Sequence, residues 1–490
     1  LHCRDTLSLH DALPISLIMI NEMNFTQQKL EMVYLEDLVP KDHILRNIDK
    51  YMDFSFIRRL TQKYYCLDNG RPGVDPILLF KMLFIGYLFG IRSERQLVKE
   101  IEVNVAYRWF LGLSLTDDIP DHSTISQNRR RRFKGTDVFQ KIFDEVVFKA
   151  INLKMVTGKI LYTDSTHLKA NANKRKLVKI EVEKTPKEYV AELNKAVEED
   201  RINHGKKPLK KKEAVIKVKE TKVSTTDPDS GYMMRDGKPE GFSYLDHRTV
   251  DSKHNIITDV HVTPGNINDV DPYIDRLDVQ IKKFNFNTKY VGADAGYATN
   301  LICKELYERE LKSVMGYRRS PHTKGMYTKN KFQYVKEQDI YVCPDLRALH
   351  YKTTTREGYK EYVGNEKECK ICPNRAQCFS EKSKFKTIRR HVWETYKEDV
   401  VKFTRTDKGR NIYRRRKETI ERSFADSKQL HGLRYCHMRG LENVQEQCLL
   451  TAAVQNMKKI ARLLSQLFFD FLTENLVICC KVYIIKNAIA

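Results

Sequence analysis

Residues 158–170 read GKILYTDSTHLKA. β-Branched and aromatic residues run through Ile160 and Tyr162 to Asp164, the pattern of a strand that delivers an acid at its end. Residues 287–297, NTKYVGADAGY, repeat it and end at Asp294. Between them, GFSYLDHRTV (241–250) and NIITDVHVTPGN (255–266) read as a hairpin and DVDPYIDRLDVQIKKF (269–284) as a helix. NLICKELYEREL (300–311) then reads as a helix and KSVMGY (312–317) as one more strand. Three strands, helix, strand, helix, strand predicts an α/β core, a mixed sheet flanked by helices.

A third acid lies in NIYRRRKETIERSFADSKQLHGL (411–433), which has helical spacing. Ile420 and Phe424, four apart, dock one face on the sheet, while Glu421 and Lys428, seven apart, share a neighbouring face. Carboxylates at the strand ends of one sheet converge in space, so Asp164, Asp294 and Glu421 form a hard-oxygen site for Mg²⁺ or Mn²⁺. Two such ions about 4 Å apart activate an attacking oxygen and stabilise a departing one, the requirement of phosphodiester chemistry. Glu418 and Asp426 compete with Glu421 in the same helix, but Glu421 is flanked by the docking residues and has the spacing to Lys428. Asp246, Asp259 and Asp269 read as surface or turn residues. Gly292, Ala293, Ala295 and Gly296 around Asp294 are small enough for a phosphate to approach.

Upstream, residues 19–153 read as an all-α unit. ILLFKMLFIGYLFGI (77–91) is apolar all round, like a buried helix, and RSERQLVKEIEVNVAYRWFLGL (92–113) continues at helical spacing. In PDHSTISQNRRRRF (120–133), Ser123 or Thr124 is the expected N-cap. Gln127, Asn128, Arg129, Arg130, Arg131 and Arg132 would follow on one helix, either for a DNA groove and its phosphates or as a solvated basic face.

The core, 154–317 and 411–466, is interrupted twice. Residues 174–222 are rich in Lys and Glu and read as a basic, solvated helical arm. Residues 318–410 carry Cys343, Cys369, Cys372 and Cys378, a thiolate set that tetrahedral Zn²⁺ accepts. Zinc would staple an insertion too polar to bury a core of its own.

Of 490 residues, 87 are Lys or Arg and 64 Asp or Glu, a formal charge of +23 that calls for a polyanionic partner. The cysteines form no disulfide-like framework, as in a cytosolic protein. No apolar run approaches the 18 or so residues of a membrane span. Residues 1–18 read as a non-native leader, and the stretch 467–490 changes character.

Taken together, YTDSTHLKANANK around Asp164, YVGADAGYAT around Asp294, ERSFADSKQLHGLRYCHMRG from Glu421 and GRPGVDPILLFKMLFIGYLFGIRSERQL near the N-terminus resemble the DDE transposases of bacterial insertion sequences over about residues 25–460. The resemblance implies a ribonuclease-H-like core, an N-terminal DNA-binding domain, binding to terminal inverted repeats, metal-dependent cleavage and strand transfer into target DNA, and a homo-oligomer on DNA in the bacterial cytoplasm, at the nucleoid. It makes Asp164, Asp294 and Glu421 the metal ligands and sets Lys428 near the phosphate backbone, with Arg416, Lys417 and Arg422 as further DNA contacts. The sequence departs at one point. In related transposases a Tyr and an Arg precede the Glu by seven and four residues; here Arg414 and Lys417 hold those positions, and Tyr413 and Arg416 stand one place early. The competing expectation is an inactive or domesticated DNA-binding protein of the same fold.

Overall fold

In the central sheet, β1 (Ile160–Lys169) lies between an antiparallel neighbour, β5 (Gly241–Asp251), and a parallel one, β7 (Tyr290–Ala293). The computed structural model describes residues 32–66, 73–184, 189–210, 217–234, 240–317 and 325–489; the expected leader, 1–18, lies outside them. β8 (Lys312–Met315) continues the sheet in parallel beyond β7, and β4 (Gly231–Met233) and β6 (Ile257–Pro264) share the far edge of β5. The two parallel joins need crossovers, supplied by helices Tyr273–Phe284 and Asn300–Glu308. Asp164 does not end its strand. β1 runs on to Lys169 because β5 remains paired to it, whereas pairing with β7 stops at Tyr162.

Upstream of the sheet is helical, as the apolar periodicity predicts. The Pro76–Leu88 helix begins with Asp75 accepting a hydrogen bond from the Ile77 amide at 2.8 Å and with proline in its first turn, and residues on all its sides are buried. The expected cap at Ser123 or Thr124 is instead Asp121, whose carboxylate accepts from the Ser123 amide at 2.7 Å; helix His122–Asn128 then passes into a π turn, Arg129–Phe133.

Helix Leu441–Ile489 packs against Val138–Asn152, Ile44–Tyr51, Pro76–Leu88 and β6. One apolar core therefore runs from the N-terminal helices through the sheet to this helix, from Leu45 to Ala461. Asn456 ties the helix to β6, accepting from the Ile257 amide at 2.9 Å and donating to its carbonyl at 2.8 Å.

Two insertions differ from expectation. The arm is not wholly helical: β2 (Leu177–Lys184) and β3 (Lys217–Ser224) form an antiparallel ribbon around helix Tyr189–Asn203. Val178 and Ile180 alternate with charged residues along β2, a period of two. The cysteine insertion does bury a core. β9 (Gln333–Val335), β10 (Ile340–Val342), β11 (Ala348–Thr354), β12 (Tyr359–Val363) and β13 (Thr387–His391) form an antiparallel sheet over Phe332, Tyr341, Leu349, Tyr362, Phe379 and Ile388. Tyr341 and Tyr362 are in this core and Tyr327, Tyr334 and Tyr351 pack around it, so hydropathy understates it. The arm helix docks on this sheet, with Arg201 donating to Thr353 and Thr354 and His204 stacked on Tyr351 at 3.7 Å.

Candidate active site

Strand register brings the first two acids together. The last β1–β7 pair is Tyr162 with Gly292, and two residues farther along each chain lie Asp164 and Asp294. Parallel neighbours are about 4.8 Å apart; a period of two returns the Asp164 side chain to the Tyr162 face, and Asp294 follows directly on the end of β7. Gly292 is required here by packing: a Cβ would stand 2.6 Å from the buried Tyr162 ring. Its small size serves this close approach, where the sequence suggested room for a phosphate. Past Ala293 the chain turns, and Asp294 Oδ1 accepts from the amides of Gly296 at 2.7 Å and Tyr297 at 3.3 Å. A Cβ on Gly296 would come within 2.9 Å of that oxygen.

The third acid arrives on an irregular helix. Between helices Asp407–Arg415 and Arg422–Leu430, residues Lys417–Glu421 form a π turn in which the Glu421 amide donates to the Arg416 carbonyl, five residues back, at 3.4 Å. The turn absorbs one residue, so Arg416, one place early for a regular helix, still reaches the acids. Its Nη2 lies 2.6 Å from Asp164 Oδ2 and its Nη1 3.4 Å from Glu421 Oε1. Tyr413 is carried round likewise: a Cβ on Gly316 would lie 2.6 Å from its hydroxyl and 3.0 Å from the Ala295 methyl, beside Asp294. The one-residue offset was the only trace of this in the sequence.

Burial raises the Asp164 carboxyl above the usual aspartate range; Arg416 opposes that shift and the Asp294 charge adds to it. Glu421 is exposed. Of its rivals, Asp426 pairs with Arg422 at 2.9 Å and Glu418 points to solvent.

A buried polar network fastens the Glu421 helix to the sheet. Arg248, opposite Asp164 on β5, pairs with Asp246 at 2.7 Å, donates to Ser427 Oγ at 2.6 Å and stacks on Phe424. Asp246 and Asp259 are thus interior ion-pair members and not surface residues; Asp259 holds Arg276, its Oδ2 accepting from Nε at 3.0 Å. Hydropathy could not find Arg248, because a charged residue in a strand ordinarily reads as exposed. Lys428 reaches Thr166 Oγ1, two residues beyond Asp164 on the same strand face, at 2.5 Å. Lys417 and Arg422 are exposed nearby.

The basic helix divides in two. Gln127, Arg130 and Arg131 are exposed. Arg129 is internal, its Nε 2.5 Å from Glu446 Oε1 and its Nη1 on Glu94. Asn128 is buried, donating to the Thr124 carbonyl and accepting from Arg132, which lies over the Tyr65 ring at 4.2 Å. These three were expected on a groove-facing or solvated basic face; instead Glu94 and Glu446 hold Arg129, the Thr124 carbonyl holds Asn128, and Arg132 lies against Asn128 and the Tyr65 ring.

Among the described residues, no three Cys, His, Asp or Glu side chains stand in metal-holding geometry as they are placed. The chemistry of both donor sets nevertheless fits. Asp164 is a largely buried carboxylate whose companion charge is a guanidinium shared with Glu421. In the insertion, burial pushes the Cys378 thiol up to about 11, and the nearby Cys369, Cys343 and Cys372 add to the shift. A Cβ on Gly364 would come within 2.9 Å of Cys369 Sγ.

A helical N-terminal unit fused to a mixed sheet with clustered acids defines an enzyme of DNA cleavage and transfer once the comparisons are added: residues 33–131 match the family Transposase domain (DUF772), and residues 342–461 match the family Transposase DDE domain. The chain thus carries an N-terminal and a C-terminal transposase domain, consistent with a DDE transposase of an insertion sequence. The second match includes Glu421 but begins after Asp164 and Asp294. No curated protein matches the chain, and no described helix is long and apolar enough to cross a membrane.

Proposed function

We propose that this transposase binds the terminal inverted repeats of its element, cleaves the DNA at their ends and joins the freed 3′-hydroxyl to a target, using Asp164, Asp294 and Glu421. The observation that supports this reading is that Arg416 spans Asp164 and Glu421, with Asp164 and Asp294 each two residues beyond the last β1–β7 pair. The strand order β6-β5-β1-β7-β8, with β5 antiparallel to both β6 and β1 and parallel strands beyond β1, supports a ribonuclease-H-like core.

Divalent magnesium or manganese, two ions held by the three carboxylates, would supply activation of the attacking oxygen and charge for the departing one. The chain supplies the rest. Asp294, braced by the Gly296 and Tyr297 amides, keeps its carboxylate at the sheet end. Lys428, Lys417 and Arg422 line the approach to Asp164 with positive charge, and Gln127, Arg130 and Arg131 offer a second contact for duplex DNA. Two ends held by a homo-oligomer complete the reading. In the insertion, Cys343, Cys369, Cys372 and Cys378 hold a structural zinc, checked by finding about one zinc per chain in purified protein and its loss in Cys378→Ser.

The test is cleavage of an end-containing duplex with Mg²⁺ or Mn²⁺. Asp164→Asn, Asp294→Asn and Glu421→Gln each abolish nicking and joining while gel-shift affinity for end DNA persists. Normal cutting by any one of them removes that residue from the site.

A further inference from the structure

The acids meet around a cation that the chain itself provides. Arg416 Nη2 lies 2.6 Å from Asp164 Oδ2 and Nη1 3.4 Å from Glu421 Oε1, so one planar guanidinium spans acids from a strand and a helix. The side chain is mostly buried, and no other residue bridges that pair among the described side chains. This is where a metal ion bound by those two carboxylates would lie. A guanidinium and a divalent cation cannot share it, since both need the same oxygen atoms and like charges at that spacing repel.

The guanidinium is also incompletely satisfied, because Arg416 Nε is buried with no hydrogen-bond partner. A group that leaves a buried donor unmade is held less firmly than its two ion contacts suggest. Its backbone sits at the entrance of the π turn, where the Glu421 amide bonds to the Arg416 carbonyl. That turn aims the side chain inward.

We propose that Arg416 is an internal stand-in for the metal: in the DNA-free protein it holds Asp164 and Glu421 together, and metal binding must displace it. Arg416 is a positioning residue in this role. It preserves the spacing of two acids that would otherwise repel, and it lowers affinity for free metal until DNA arrives, when the displaced guanidinium can pair with a phosphodiester. The inference rests on the metal-site reading above.

The experiment measures Mn²⁺ binding to the DNA-free full-length chain, by the electron paramagnetic resonance of free Mn²⁺, for wild type, Arg416→Gln, Arg416→Lys and Asp164→Asn. Losing the bidentate bridge should tighten Mn²⁺ binding by roughly tenfold or more in Arg416→Gln. Arg416→Lys keeps the charge but cannot span both carboxylates, so it should also bind more tightly than wild type. Equal binding by Arg416→Lys and wild type would reduce the effect to simple charge repulsion and overturn the proposal. Unchanged or weaker binding in Arg416→Gln overturns it too, and it does so without touching the metal-site reading if Asp164→Asn still abolishes binding. If no variant binds Mn²⁺ at a site sensitive to Asp164→Asn, the metal-site reading falls and takes the proposal with it. Circular dichroism checks folding, and the lysine variant carries the test if the glutamine one unfolds.

Discussion

Replacing Arg129 by alanine separates an arginine that holds the protein together from those that face DNA. Arg129 contacts Glu446 and Glu94, and Glu446 is 4% exposed. Burial pushes the Glu446 carboxyl up from 4.5 to about 7, with Arg129 opposing the rise. A folded-state value above the unfolded one means that the stability contributed by protonated Glu446 is fully present below pH 4.5 and is lost as pH rises through about 7. Removing Arg129 moves the folded value higher still, so in the variant that loss continues where wild type has levelled off. The gap between the two proteins therefore opens on the alkaline side, at about 1.4 kcal/mol per pH unit, and is about 2 kcal/mol wider at pH 8.5 than at pH 6. At pH 8.5 it should reach the roughly 3–5 kcal/mol of a broken buried pair, a thermal midpoint lower by about 3–5 °C in a chain of this length. Thermal unfolding followed by circular dichroism at both pH values measures this, with Arg130→Ala as the exposed control that leaves the midpoint unchanged. If Arg129→Ala unfolds where Arg130→Ala does at both pH values, or if the gap narrows toward alkaline pH, the internal role of Arg129 is refuted.

Deleting Lys417 removes the residue that the π turn absorbs and returns Arg416 to four places before Glu421; Mn²⁺-dependent nicking should stay within about tenfold of wild type, and its loss in a folded deletion variant would contradict the register argument. Gly292→Ala forces a methyl to 2.6 Å from the Tyr162 ring and should cost roughly 1–3 kcal/mol in unfolding free energy, with nicking reduced further because β1 and β7 carry Asp164 and Asp294. Arg130→Ala combined with Arg131→Ala should weaken binding to any duplex and lower the slope of log affinity against log salt by about two, read by fluorescence anisotropy over a salt series; an unchanged slope removes these side chains from the DNA contact.

Local sequence was enough for the parts that depend on neighbours in the chain. The strands around Asp164 and Asp294, the hairpin of β5 and β6, the crossover helices and the buried Pro76–Leu88 helix follow from periodicity, capping and turn residues. The proposed choice of acids rests on the same local reading, because each stands beside a regular element whose type the flanking residues dictate. The arm and the cysteine insertion were less legible: a charged β-ribbon alternates too weakly against its lysines, and a small core ringed by tyrosines scores as polar.

What needed the folded chain is everything set by partners far away in sequence. Arg129 and Asn128 look like neighbours of Arg130 and Arg131, but Glu446, more than 300 positions downstream, decides which way Arg129 faces. Arg248 is a charged strand residue until Asp246, Ser427 and Phe424 close around it. The offset of Tyr413 and Arg416 reads as a mismatch until the π turn rotates them into line. The physical reason is common to all three: a charge on a helix or strand carries no record of its orientation, which is chosen by the counter-charges that tertiary packing brings within hydrogen-bonding distance.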